Sequence, residues 1–72
     1  MRRIVAANRI VLPDGTTLSP GFVELDGCRV VRTERLCGEQ PFTEWLGGTV
    51  TVGREADGVM HASKDGRMLS AS

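Results

Sequence analysis

Residues 22–32 read Phe22-Val23-Glu24-Leu25-Asp26-Gly27-Cys28-Arg29-Val30-Val31-Arg32, and this stretch decides the fold. Two runs rich in apolar and β-branched residues flank an Asp-Gly pair. Gly takes positive φ without a steric penalty and Asp tolerates it, so the pair suits the type I′ turn that matches the twist of two antiparallel strands. The stretch is therefore read as a β-hairpin.

Toward the N-terminus, Arg3 to Leu12 (RIVAANRIVL) reads as one strand ending at Pro13-Asp14-Gly15, where Pro presets φ and Gly supplies a positive one. Thr16 to Leu18 returns as a short strand before Ser19-Pro20-Gly21, which interrupts the ladder because Pro has no amide to donate. Toward the C-terminus the pattern loosens from Thr33 to Thr43, with charges at Glu34, Arg35 and Glu39, Gly38 and Pro41. That segment reads as a connecting loop with room for one helical turn. Trp45-Leu46 and Thr49 to Val52 restore strand character around a bulge or sharp bend at Gly47-Gly48, and Gly53 closes that strand. Val59 to Ala62 and Arg67 to Ala71 form a last hairpin about Ser63-Lys64-Asp65-Gly66, read as a type I turn with Gly left-handed.

No window carries the apolar spacing of an amphipathic helix over the roughly 11 residues that one needs. The expected fold is all-β: a small sandwich or partly open barrel of about six or seven mostly antiparallel strands, forming one domain over residues 1–72. Its core is expected from Ile4, Ile10, Val23, Leu25, Val30, Leu36, Trp45, Leu46, Val50, Val52, Val59 and Met68.

With 72 residues the chain has no room for a (β/α) barrel, and folding at this size buries only about 60% of the unfolded surface. Nine Lys and Arg balance nine Asp and Glu, so bulk charge draws the chain neither to nucleic acid nor to an anionic bilayer. The apolar run after Met1-Arg2-Arg3 is split by Asn8 and Arg9 and lacks a small-residue cleavage site, so it reads as strand rather than signal peptide. No apolar run approaches the roughly 20 residues of a membrane span. A soluble, cytoplasmic protein is expected, with Cys28 and Cys37 as reduced thiols, since a secreted domain held by disulfides would carry more cysteines.

Residues Gly48 to Arg67 (GTVTVGREADGVMHASKDGR) resemble the C-terminal signature of the amidohydrolase superfamily, the metal-dependent hydrolases that include dihydroorotases, cytosine deaminases and imidazolonepropionases. Gly48, Val50, Gly53, Ala56, Asp57 and Val59 occupy the matching positions. The N-terminal part, over residues 1–36, is similar to the opening strands of the same enzymes, with Gly21, Val23, Leu25, Gly27, Arg29, Val30 and Val31 fitting; the C-terminal likeness spans 48–72. In that family the two terminal segments meet as a small composite β-sandwich, and the catalytic barrel is inserted between them. The resemblance thus implies the composite domain with the barrel missing. Gly58, His61 and Ala62 depart from the family's usual apolar, aliphatic and Asp residues. Thr43 to Gly53 also aligns with the last N-terminal strand leading into the barrel.

The family's metal chemistry rests on an H-x-H pair, two further His and an Asp, all on the barrel, whereas this chain has one His. A catalytic zinc needs three protein ligands, and His61, Cys28 and Cys37 show no metal-ligand spacing. They read instead as a half-exposed strand His and two small buried residues. Ser63 beside His61 reads as a turn residue, and no nucleophile motif or phosphate loop is present. Arg2, Arg3 and Arg9 read as solvated charges on an edge strand. No catalytic residue, cofactor or metal is expected.

What remains is a non-catalytic module that acts structurally by self-association, most simply a homodimer. Phe42, Trp45 and Leu46 are its candidate interface, because they lie where the chain would otherwise leave for the barrel. The alternative is an accessory subunit that completes a separately encoded barrel. Neither nucleic acid nor membrane is an expected partner.

Overall fold

A computed structural model describes residues 2–38 and 41–70. Met1, Glu39, Gln40, Ala71 and Ser72 lie outside the described residues, and with them the expected loop charge at Glu39 and the end of the last run at Ala71. The fold is all-β, with no helix among the described residues. In chain order the strands are β1 (Arg2–Ala7), β2 (Arg9–Val11), β3 (Thr17–Leu18), β4 (Gly21–Asp26), β5 (Arg29–Arg35), β6 (Thr43–Trp45), β7 (Thr49–Arg54), β8 (Met60–Lys64) and β9 (Arg67–Met68). One sheet runs β5-β4-β1-β6 and the other β3-β2-β7-β8-β9.

The run expected as a single strand from Arg3 to Leu12 is bent at Asn8, so β1 belongs to the first sheet and β2 to the second. Beside it, β6 and β7 make the same passage through Leu46-Gly47-Gly48. The pairs β1/β6 and β2/β7 are parallel, with Ala6 opposite Trp45 and Arg9 opposite Thr49. The other pairings are antiparallel. Counting each bent run once leaves seven strands, which accounts for the difference between the strand number read from sequence and the nine segments observed.

Four Asp-Gly pairs stand in the sequence, and each turns a hairpin. At Leu12–Thr16, the Gly15 amide donates to Leu12 O at 3.0 Å, Leu12 N donates to Thr16 O at 2.8 Å, and Thr16 N donates to Asp14 Oδ1 at 2.9 Å. The hairpin at Glu55–Val59 repeats this pattern with Gly58, Glu55 and Asp57 in the equivalent places. β7 therefore continues through Gly53 to Arg54 instead of closing there. The other two turns differ from the types read from sequence. Between β4 and β5 the central residues are Gly27 and Cys28, and only Gly27 has positive φ (63°), the pattern of a type II′ turn. Between β8 and β9, Asp65 (54°) and Gly66 (80°) are both left-handed, the pattern of type I′. Strand register decides this: Asp26 pairs with Arg29 in one hairpin and Lys64 with Arg67 in the other, leaving different residues at the tip.

The core lies between the sheets. Val5, Ala7, Val23, Leu25 and Val30 reach it from the first sheet, and Ile10, Val50, Val52 and Ala62 from the second. Side chains alternate along a strand, so placing Val5 inward opposite Val23 turns Ile4 outward opposite Glu24. Ile4, Leu36, Leu46 and Val59 are half-buried; Trp45 and Met68, expected in the core, are 55% and 56% exposed because they belong to short edge strands. The register misses are Val5, Ala6, Ala7, Phe22 and Ala62, all buried. Phe22 stands outside the main cluster under Arg32, whose Cζ lies 5.1 Å from the ring centroid.

Candidate functional site

The corner where both bent runs change sheets organises the surface beside it. Between Ala6 and Arg9 there are two residues, but between the facing Trp45 and Thr49 there are three. The extra residue is accommodated by Gly47 and Gly48 at φ 72° and 64°, a backbone that side-chain-bearing residues rarely adopt. Leu46 N donates to Ala6 O at 2.8 Å and Arg9 N to Gly48 O at 3.1 Å, which ties the runs together on both sides of the bend. Asn8 Oδ1 completes the corner by accepting the Gly48 amide at 2.8 Å.

Next to this corner lies an open depression of about 580 Å3, lined by Asn8, Arg9, Ser19, Trp45, Gly48 and Thr49 among others. A second hollow of about 320 Å3 lies at Leu12, Pro13, Asp14, Thr33, Arg54 and Met60. The Thr16 amide donates to Asp14 and holds its carboxyl below the ordinary carboxylate range.

The candidate interface residues separate. Phe42 is 98% exposed and has φ 58°, so it combines an apolar ring in water with a left-handed backbone that bulky residues avoid. Trp45 is about half exposed on β6, the free edge of the first sheet. Leu46 is half-buried and packs against the core where the chain enters the bend between the sheets.

His61 is half-buried in β8, and its Nδ1 lies 2.8 Å from Cys28 O, so the ring clips the second sheet to the β4–β5 turn. That clip uses the Cys28 carbonyl and not its thiol. Both cysteines are free, and both are exposed rather than buried, because Cys28 occupies a hairpin tip and Cys37 follows the end of β5. Ser63 is a half-buried β8 residue opposite Met68, not part of a turn. Among the described residues, no group of three or more His, Cys, Asp or Glu is placed to hold a metal ion.

β1 and β2 are interior strands, but β6 pairs with β1 only from Ile4 and β3 with β2 only from Ile10, so Arg2, Arg3 and Arg9 stand at strand ends paired on one side. Arg2 reaches Glu24 at 2.6 Å across to β4, and Arg3 pairs with Glu44 and donates to Ser70 O at 2.7 Å. Arg32 joins Glu24 at 3.3 Å and Glu34 at 3.2 Å, giving the outer face of the first sheet an alternating ion-pair ladder. Arg9 has no ion-pair partner among the described residues. No helix of the described residues is long and apolar enough to cross a membrane.

No family model matches the chain, and comparisons with curated proteins and with solved structures likewise give no match.

Proposed function

We propose that the chain is a non-catalytic β module, akin to the composite domain of amidohydrolases, that acts by self-association as a homodimer through the β6 edge. The observation that carries this reading is Phe42: almost fully exposed and left-handed, one residue before a free edge strand. An apolar ring in water on a strained backbone is the kind of cost that a contact offsets. The outward amides and carbonyls of β6 supply a template for pairing with the same strand of a second copy, and a two-fold axis there brings both Phe42 rings into one contact. The half-exposed Trp45 flanks it. The single His and the lack of nucleophile or ligand motifs support the non-catalytic part. The exposed free thiols Cys28 and Cys37 suit a reducing compartment such as the cytoplasm.

Light scattering over a concentration series tests the reading. The expected mass is twice 7.8 kDa at high concentration. Phe42→Asn suits the left-handed backbone while removing the ring from both copies, so it weakens association by about 100- to 10,000-fold, from the roughly 1.5–3 kcal/mol of burying each Phe side chain. A monomer at every concentration refutes the dimer. Recovery of a separate barrel protein on this edge, in place of a second copy, replaces it with the accessory-subunit reading.

A further inference from the structure

We infer that the depression beside the sheet corner is a binding site for a small ring-bodied carboxylate, of the acidic-sugar class. The assignment rests on what the lining leaves unspent. Arg2, Arg3, Arg29 and Arg32 each face a carboxylate; Arg9, like Arg35, Arg54 and Arg67, has no ion-pair partner among the described residues, and of these four it alone lines this depression. Asn8 commits its Oδ1 to the Gly48 amide, which fixes that atom as the acceptor and leaves its Nδ2 with no partner among the described residues. The Ser19 and Thr49 hydroxyls line the same space, and neither has a side-chain hydrogen bond among the described residues.

This lining is rich in donors. Arg and the Asn amide nitrogen only donate, the hydroxyls do either, and no Asp or Glu lines the depression. It therefore selects a ligand rich in acceptors that carries negative charge, and a planar guanidinium matches a carboxylate with two parallel bonds. Trp45 contributes an indole about half open to solvent, whose face suits a flat or ring-shaped body. A volume of about 580 Å3 lies within the roughly 300–1,000 Å3 of small-molecule sites. The depression is open to water, which favours a polyhydroxylated ring that keeps one face hydrated over an apolar one. All its lining residues belong to one chain, but Trp45 also flanks the proposed β6 contact, so binding is measured in the monomeric variant as well as in the parent chain.

Trp45 is the single tryptophan, so its emission reports this site, and following it at one fixed protein concentration in both the parent and Phe42→Asn separates ligand binding from association. Titrating the full chain with glucuronate should give a saturable change, while glucose (ring without charge) and acetate (charge without ring) at equal ionic strength bind at least about tenfold more weakly. Arg9→Gln should weaken glucuronate by about tenfold or more with an unchanged melting temperature, and Thr49→Val by about threefold. Phe42→Asn, monomeric by light scattering, should bind as the parent chain does. Equal responses to the three probes, no effect of Arg9→Gln, or loss of binding together with dimerisation would each overturn the inference.

Discussion

Gly21→Ala is a direct test of how the two sheets meet. Gly21 opens β4 opposite Ala7, is buried, and has an ordinary φ, so nothing but space forbids a side chain there. A Cβ on it stands 2.7 Å from Leu18 Cβ, 2.8 Å from Ile10 Cγ1 and 3.2 Å from Leu18 O. Two of these contacts are shorter than carbon atoms allow, and Leu18 Cβ is fixed to its backbone, so β3 must move by about 1 Å to restore a normal separation. Ile10 is fully buried and has nowhere to turn. Overpacking of this kind costs about 3 kcal/mol, the upper end of the usual range, and the entropy lost by the unfolded chain on gaining a methyl returns about 0.4–1 kcal/mol. The net destabilisation is about 2 kcal/mol, which at this size lowers the melting temperature by about 8–16 °C. Gly53→Ala is the internal comparison, since its Cβ meets nothing within 4 Å and its φ is ordinary. Only the entropy gain applies, so it is neutral or stabilising by about 0.5 kcal/mol. Thermal unfolding followed by circular dichroism at one protein concentration measures both. A Gly21→Ala protein melting within about 2 °C of the parent, or a Gly53→Ala protein falling as far, would falsify the packing argument.

The corner hydrogen bond predicts that Asn8→Ala loses about 0.5–1.5 kcal/mol in urea unfolding, while Asn8→Asp, which keeps the acceptor for Gly48 N, loses less; equal losses refute a specific role for Oδ1. Asp14 has a folded pKa lowered below its ordinary 3.8 by the Thr16 amide, so its contribution to stability is present above about pH 4 and is lost as pH falls through the lowered value. Carboxyl titration by NMR should place Asp14 below 3.8, and Asp14→Asn should remove that part of the acid dependence; a midpoint at or above 3.8 contradicts the Asx-turn geometry.

The all-β class was legible because strand signals are local: β-branched runs, Asp-Gly tips and the absence of helical spacing need no knowledge of partners. What stayed hidden was pairwise. Val5 and Ile4 are both apolar neighbours in β1, and only the pairing of Val5 with Val23 decides which enters the core. The same holds at residues 26–28, where one step of register changes a type I′ reading into the observed pattern with Gly27 alone left-handed. The hairpin at Ala56-Asp57-Gly58 carried the same Asp-Gly signal as Pro13-Asp14-Gly15, and its repetition was the clue to a strand continuing through Gly53. Of the candidate interface, Phe42 and Trp45 lie exposed, while Leu46 is half-buried and packs against the core where the bend between sheets begins. That the adjacent Asn8 and Arg9 meet Trp45 and Thr49 was not visible, since it depends on two bent runs aligning in parallel.

Most of the residues on which the proposed amidohydrolase resemblance rests have local reasons of their own. Gly21 permits close approach of β4 to Leu18 and Ile10, Gly27 turns a hairpin, Gly48 absorbs the extra residue of the β6–β7 bend, and Asp57 closes an Asx turn on Val59. Val23, Leu25, Val30, Val50 and Val52 are inward-facing strand positions. A two-sheet sandwich entered by bent strands requires such residues at such places whatever its ancestry. Gly53 is different, for its φ is ordinary and its surroundings are empty, so neither turn geometry nor packing in this fold calls for a glycine. An open, exposed strand glycine leaves room for another backbone to approach. Gly53→Ala therefore tests more than packing: a stabilised variant that associates as the parent does leaves the β6 edge as the proposed contact, whereas a stabilised variant that no longer associates places a partner's backbone against β7.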